Sequence, residues 1–210
     1  MADDVNAAVG VSEAAQGVLG RYVPRRGPST FADEGACGQG LDGGLLRFHD
    51  AVSAPVYRQL VVDAFPRLFQ LDAKADVLAF DWNGRQYLTA KPAGARWPGV
   101  LMADMGTGVL SLLGRVKDFA SAVFGPGRHD MFDGKKLDWW LSSVNMPYGK
   151  VRFDDSVAYR VPLWCGGEDS PYNLCMVNTV AYWTEWTATM RQMGADEYPG
   201  QTPPIPAYDF

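Results

Sequence analysis

Apolar and polar positions alternate most clearly over Asp76–Ala90, DVLAFDW-NG-RQYLTA, where two runs rich in β-branched and aromatic residues flank Asn83-Gly84. A period of two predicts strands. Asn-Gly between two such runs predicts a hairpin with a type I′ turn, because both central positions of that turn take φ > 0. Successive strand side chains point to opposite faces, so Leu78, Phe80 and Trp82 are expected on the core face and Val77, Ala79 and Asp81 on the other. Val100–Met105 and Val109–Leu113 read as two more strands around the turn Gly106-Thr107-Gly108, and Leu45, Leu46 and Phe48 as a short strand upstream. Strands joined by tight turns predict a mostly antiparallel meander. Val157, Tyr159, Val161 and Leu163 alternate as a further half-buried strand.

The period lengthens elsewhere. Ser53-Ala54-Pro55 is a helix start, with Ser53 as N-cap and Pro55 near the first turn, and Val56, Leu60, Val61, Ala64 and Phe65 follow at helical spacing. Pro66 ends that helix or begins a new turn. Val116–Phe124 reads as a helix stopped by Gly125-Pro126-Gly127, and Lys135–Val144 as another carrying Trp139, Trp140 and Leu141. Asn178–Met193 reads as a final amphipathic helix, with strand an open alternative for its first half. Ser12–Leu19 reads as a short N-terminal helix. The predicted fold class is α+β: a mostly antiparallel twisted sheet packed by several helices. The predicted organisation is an N-terminal segment over 1–20, one α+β domain over 21–194 and a proline-rich tail over 195–210.

Composition narrows the function classes. With 210 residues and a formal net charge of −5, the chain can bury a sizeable core, and its charge argues against a nucleic-acid backbone as main partner. Its basic clusters do not exceed Arg25-Arg26 or Lys135-Lys136. A mildly acidic surface also suits a basic protein partner. MADDVNAAVG has no basic, then apolar, leader pattern, and runs such as Val109–Leu113 are too short to cross a bilayer. The three cysteines, Cys37, Cys165 and Cys175, are expected as free thiols, and the cytoplasm is the expected location with no membrane partner.

The candidate chemistry is sparse. His49 and His129 have no Cys, Asp or Glu at ligand spacing, so surface or satisfied polar positions are expected for both. Cys165 and Cys175 lie ten residues apart without a second pair, which is no zinc signature. The glycine-rich stretch 35–44 lacks the Lys-Ser/Thr of a phosphate loop. Asp81, Asp104, Glu168 and Asp169 could gather at strand ends to hold Mg²⁺ or do acid–base work, although turn carboxylates usually cap backbone N–H groups. Of the seven tryptophans most are expected in the core. Adjacent Trp139 and Trp140 point about 100° apart on a helix, so one of them would be free to serve a protein interface.

Three passages together resemble a known bacterial family. AFDWNGRQYLTA resembles its "fDWlGRqfa" hairpin, MADMGTGVLSL its acidic-Pro-Gly-Thr-Gly strand–turn–strand, and VAYRVPLWCGGEDSPYNLCMVNTVAYW its "vgYkvPLFLGGeD" block with the following Asn-Leu and Tyr-Trp. LDGGLLRFHDAVSAPVYRQLVVDAFPRLF is similar to the "dGlyRf" segment that opens the GAD-like region of the same proteins. These are the immunity proteins that protect bacteria from type VI secretion DNase effectors, in the general style of SUKH-type immunity proteins. The resemblance spans about residues 40–187, dividing the domain into a GAD-like part at about 40–75 and a C-terminal immunity part at about 76–190. Its motif residues here are Trp82, Asn83, Gly84, Gly106, Gly108, Pro162, Gly166, Gly167, Asn173 and Trp183. Asn83 replaces the family's Leu, Met105 its Pro, Cys175 a Glu and Asn178 an acid.

The resemblance implies a non-catalytic, cofactor-free protein that neutralises a cognate toxin, such as a nuclease, by occluding it, as a monomer or small homo-oligomer. The implied contacts are Asp81, Arg85, Asp104, Glu168 and Asp169. The alternative for Asp81, Arg85 and Asp169 is a structural one, as salt bridges and caps. Rival functions are a structural, assembly or phage-encoded interaction protein of the same fold, and a small metal-dependent enzyme using the carboxylates.

Overall fold

Strands β3 (Asp76–Asp81) and β4 (Gln86–Ala90) form the central hairpin, and all their residues are buried. The computed structural model describes residues 40–50, 52–91, 95–146 and 151–193. The expected helix at Ser12–Leu19, Cys37, most of the glycine-rich stretch and the proline-rich tail lie outside the described residues. In the described chain β1 (Gly40–Leu41), β2 (Leu46–Phe48), β3, β4, β5 (Gly99–Asp104) and β6 (Val109–Arg115) make one sheet in chain order, each strand antiparallel to the next. The expected meander is therefore present, joined by the expected upstream strand at β2 and by one strand not expected, β1. The helices are α1 (Ser53–Ala64), α2 (Pro66–Leu71), α3 (Val116–Phe124), α4 (Arg128–Met131), α5 (Gly134–Ser143) and α6 (Thr179–Met193). β7 (Asp155–Tyr159) and β8 (Leu174–Asn178) form a separate antiparallel pair.

The sheet is covered on both faces. Tyr57, Val61 and Phe65 of the α1 region and Trp183 and Met190 of α6 pack over Val77, Leu88 and Leu101. Phe119 and Val123 of α3, Phe132, and Leu137 and Trp140 of α5 pack over Leu78, Trp82, Tyr87 and Val100. Both strand faces are thus core faces, which corrects the one-sided expectation. A bulge between Val77 and Ala79 also breaks the alternation. Leu78, Ala79 and Trp82 join the α3/α5 side, while Phe80 turns to stack on Tyr57 of α1 at 5.1 Å. The α+β class holds. The boundary drawn near residue 75 is crossed by the sheet, since β2 pairs with β3.

Three local expectations are corrected. The β3–β4 turn is not type I′: of its two central residues only Gly84 has positive φ (+81°). The Asp81 carboxylate accepts the Asn83 N–H at 3.0 Å and the Arg85 N–H at 3.1 Å, and this side-chain turn keeps Asn83 at negative φ. The cap of α1 is Asp50, whose Oδ1 accepts the N–H groups of Val52 and Ser53 at 3.0 and 2.7 Å, while Ser53 Oγ accepts the Asp50 N–H at 2.9 Å. The strand expected over Val157–Leu163 ends at Tyr159, because Pro162 has no N–H to pair and a 3₁₀ turn follows at Leu163–Cys165. Pro66 begins α2, and the helix alternative holds for the last element from Thr179.

The hairpin tip is where the other elements meet. The Trp82 carbonyl accepts the Val157 N–H at 2.7 Å, and Asn83 Nδ2 donates to the Val157 carbonyl at 2.7 Å. The Trp183 indole donates to the Gly84 carbonyl at 2.9 Å, and the Trp82 indole to the Phe132 carbonyl at 2.6 Å. Gly84 is required twice, for its φ and because an added Cβ would stand 3.2 Å from Ser156 Oγ. Beneath the tip, fully buried Arg47 donates to the carbonyls of Arg152, Phe153 and Asp155, and through Nη2 to that of Asp81 at 2.8 Å. Its guanidinium lies over the Phe80 ring at 4.3 Å. Burial lowers its pKa to about 10, opposed by Asp81 among others, so it stays charged at neutral pH.

Candidate functional site

Arg85 links the hairpin tip to the surface. Its Nε donates to Asp81 Oδ2 at 2.5 Å and its Nη1 to Asp133 Oδ2 at 2.6 Å. The phenol of Tyr87 donates to the same Asp81 oxygen at 2.8 Å. Asp81 is wholly buried and receives these bonds together with the two backbone N–H groups of the turn. Burial alone would lower the Arg85 pKa, but Asp81, Tyr87, Asp104 and Asp133 together outweigh it and drive the value well above the usual range. Burial, reinforced by Asp81, raises the Tyr87 phenol well above its ordinary pKa, so it remains a donor.

Asp104, also buried, closes the β5–β6 turn: its Oδ1 accepts the N–H groups of Gly106 and Thr107 at 2.8 and 3.2 Å. Burial raises its pKa against the pull of Arg85 and Thr107. Gly106 lies flat under Tyr159, where an added Cβ would come within 2.7 Å of the ring. The Gly106 carbonyl accepts the Leu163 N–H at 2.8 Å, and the Met105 carbonyl accepts the Trp164 indole at 2.8 Å. Gly108, with φ +69°, is pressed against that indole. The turn after β5 therefore holds the loop that follows Pro162.

That loop carries the surface charges. Gly166 takes φ +87°, and Gly167 packs so tightly on the Val161 carbonyl that no side chain fits. Asn173 Nδ2 donates to the carbonyls of Val161 and Glu168 at 2.7 and 3.0 Å, fixing both ends of the loop. Lys136 of α5 and the Tyr159 hydroxyl both donate to Asp169 Oδ1, the second at 2.6 Å, and Lys136 also reaches the Tyr159 oxygen at 2.8 Å. These bonds hold the Asp169 carboxyl below its usual pKa, while burial, with Asp169, raises the Tyr159 phenol. With its pKa raised the phenol keeps its proton at neutral pH and serves as a donor to Asp169, so the triad fixes the position of that carboxylate.

The five expected contact residues thus divide. Asp81 and Asp104 are buried turn clamps and cannot touch a partner, which corrects their assignment as contacts. Arg85 is mostly covered and presents its charge through Asp133. Glu168 and Asp169 stand at the surface on the braced loop. The four carboxylates do not converge, and among the described residues no three His, Cys, Asp or Glu side chains are placed to hold a metal. His49 is buried, bonded to Gln86 Oε1 at 2.9 Å, stacked on Phe80 at 4.9 Å and tilted against Tyr57 at 4.6 Å, with its pKa lowered to about 4 by burial. Cys165 is exposed, Cys175 is half-buried, and both are free. Sequence reasoning missed Arg47, Asp133 and Lys136 as members of this assembly. Each joins it across a long sequence separation, and none lies in a local pattern that marks it.

No family model matches the chain, and no curated protein sequence matches it. Its fold is similar to that in the crystal structure of Atu4351 from Agrobacterium tumefaciens, with a TM-score of 0.54 over 89% of this chain and 88% of that one, at 15% identity. Among the described residues no helix is long and apolar enough to cross a membrane. An identity this low carries the architecture and no activity, so the likeness establishes an α+β fold shared over nearly the full length of both chains.

Proposed function

We propose that this chain is a non-catalytic binding protein that neutralises a cognate bacterial toxin by covering it. The reading draws on the resemblance in the three sequence blocks, and one observation carries it furthest. The surface carboxylates Asp133 and Asp169 are each gripped from below by a cation, Arg85 and Lys136, while Glu168 rides on the loop that Asn173 and the glycines hold. Carboxylates fixed in this way lose less freedom on meeting a basic protein than free ones would. A complex of ordinary size would bury about 800 Å² on each side. The toxin is then a basic protein such as a nuclease, met in the cytoplasm, with no nucleic acid or membrane bound directly.

The test is to express the chain with the product of its neighbouring gene and measure binding and toxicity together. The expected result is a tight complex of one copy each, with the toxic activity lost and no turnover by this chain. A neighbour that is not toxic and forms no complex would end the proposal. An assembly role is favoured by one feature: the seven-residue strand β6 pairs with β5 on one side and with no described strand on the other, with Leu113 exposed. A large homo-oligomer in size-exclusion chromatography would support that role, and a monomer or small dimer would count against it.

A further inference from the structure

Three large aromatic side chains are prominently exposed among the described residues: Trp97, Trp139 and Tyr172. Two of them touch. Trp139, 42% exposed on α5, meets Tyr172, 84% exposed in the short Pro171–Asn173 turn, edge to face at 5.9 Å. Tyr172 is fixed at its base, since Ser170 Oγ accepts its N–H at 3.3 Å and Asn173 bonds the Glu168 carbonyl. The Glu168 carboxylate, four residues before Tyr172, forms no ion pair among the described residues. The nearby cations are occupied: Lys136 by Asp169, and Lys135 by Asp130 at 2.8 Å.

An exposed aromatic pair, one ring of which stands on the same braced loop as an exposed carboxylate that forms no ion pair among the described residues, has the chemistry that receives a cationic side chain. The ring faces attract the charge and the carboxylate accepts its N–H groups. Arginine fits better than lysine, because its plane stacks on a ring while its edge reaches the acid. We propose that Trp139, Tyr172 and Glu168 form the anchor point at which this chain takes an arginine of its protein partner. The assignment rests on the toxin-binding reading and locates its central contact. Aromatic residues held in place before binding lose little freedom on contact, which suits them to carry a large share of an interface's energy.

The experiment uses the full chain and a short arginine-rich peptide, followed through the Trp139 indole N–H in two-dimensional NMR and assigned by Trp139→Phe. A saturable shift of that signal is expected. Tyr172→Ala and Glu168→Gln should each weaken it roughly fivefold, and Trp97→Ala should leave it unchanged. In parallel, the neighbouring-gene product should bind Tyr172→Ala about 30-fold more weakly than the unaltered chain, a loss of about 2 kcal/mol. A still indole with peptide shifts elsewhere, no saturable binding, or unchanged affinity of the toxin for Tyr172→Ala would overturn the anchor while leaving the toxin reading in place. A neighbouring-gene product that fails to bind the unaltered chain would remove the toxin reading and, with it, the anchor's assigned role.

Discussion

Replacing Asp81 by Asn distinguishes a buried clamp from a contact residue. The carboxylate accepts from two backbone N–H groups at 3.0 and 3.1 Å, from Arg85 Nε at 2.5 Å and from the Tyr87 hydroxyl at 2.8 Å. An Asn keeps one oxygen for the turn but sets an N–H₂ group against two donors, and it leaves the Arg85 charge with Asp133 alone. Removing one member of a buried ion pair costs about 3–5 kcal/mol, and the remaining Asp133 contact puts this case near 3. With a urea m-value of about 2 kcal/mol/M, the unfolding midpoint should fall by about 1.5 M with m unchanged. Tryptophan fluorescence in a urea titration reads this directly. Calorimetry on the folded variant should give partner affinity within about threefold of the original, because Asp81 has no surface to offer. A midpoint shift below about 0.5 M, or normal stability with lost binding, would refute the clamp assignment.

Gly106→Ala drives a methyl group into Tyr159 and should cost about 2 kcal/mol, or roughly 4–8 °C in melting temperature. An unaltered melting curve would show that the ring has room to move. Burial raises the Asp76 pKa from 3.8 to about 6, so the folded state favours its proton and loses stability as pH rises through that interval, by up to about 3 kcal/mol. Asp76→Asn should therefore stabilise the protein by about 2 kcal/mol near neutral pH and by almost nothing near pH 4; an equal gain at both would contradict this. The His49 pKa is lowered from 6.5 to about 4, so its contribution is complete above 6.5 and is lost as pH falls towards 4, again by about 3 kcal/mol. The two groups oppose one another over the same interval. Denaturant titrations should show a nearly flat acid limb in the unaltered chain and a steep loss in Asp76→Asn; parallel limbs would rule the compensation out.

Period and turn chemistry made the meander legible, because each strand from Asp76 to Arg115 is short, apolar and bounded by glycine or a polar turn. The positions of α3, α5 and α6 followed from helical spacing. The 100° separation of Trp139 and Trp140 gave the right sense of their exposure, since Trp140 is buried and Trp139 is not. The turn type was not legible, because the Asp81 side chain overrides what Asn-Gly alone prefers. Nor were the roles of the carboxylates. A strand-end Asp looks the same in sequence whether it faces water or a buried arginine, and here the arginine's other partner lies 48 residues away in Asp133. Arg47 was hidden for the same reason: within Leu45-Leu46-Arg47-Phe48 it reads as a solvent-facing position, and three of the four carbonyls it serves come more than 100 residues later.

Arg47 also governs how the small sheet can come loose. Local opening of the stretch before β7 would take three carbonyl acceptors from a charged guanidinium in an apolar interior and leave it the Asp81 carbonyl. Such an excursion is nearly as uphill as complete denaturation, so amide protons of β7 and β8 should exchange with deuterium at the pace of the central strands and not at that of a peripheral ribbon. The surface loop between those two strands thereby inherits the rigidity of the protein's middle, although it is made late in the chain and lies at its outside.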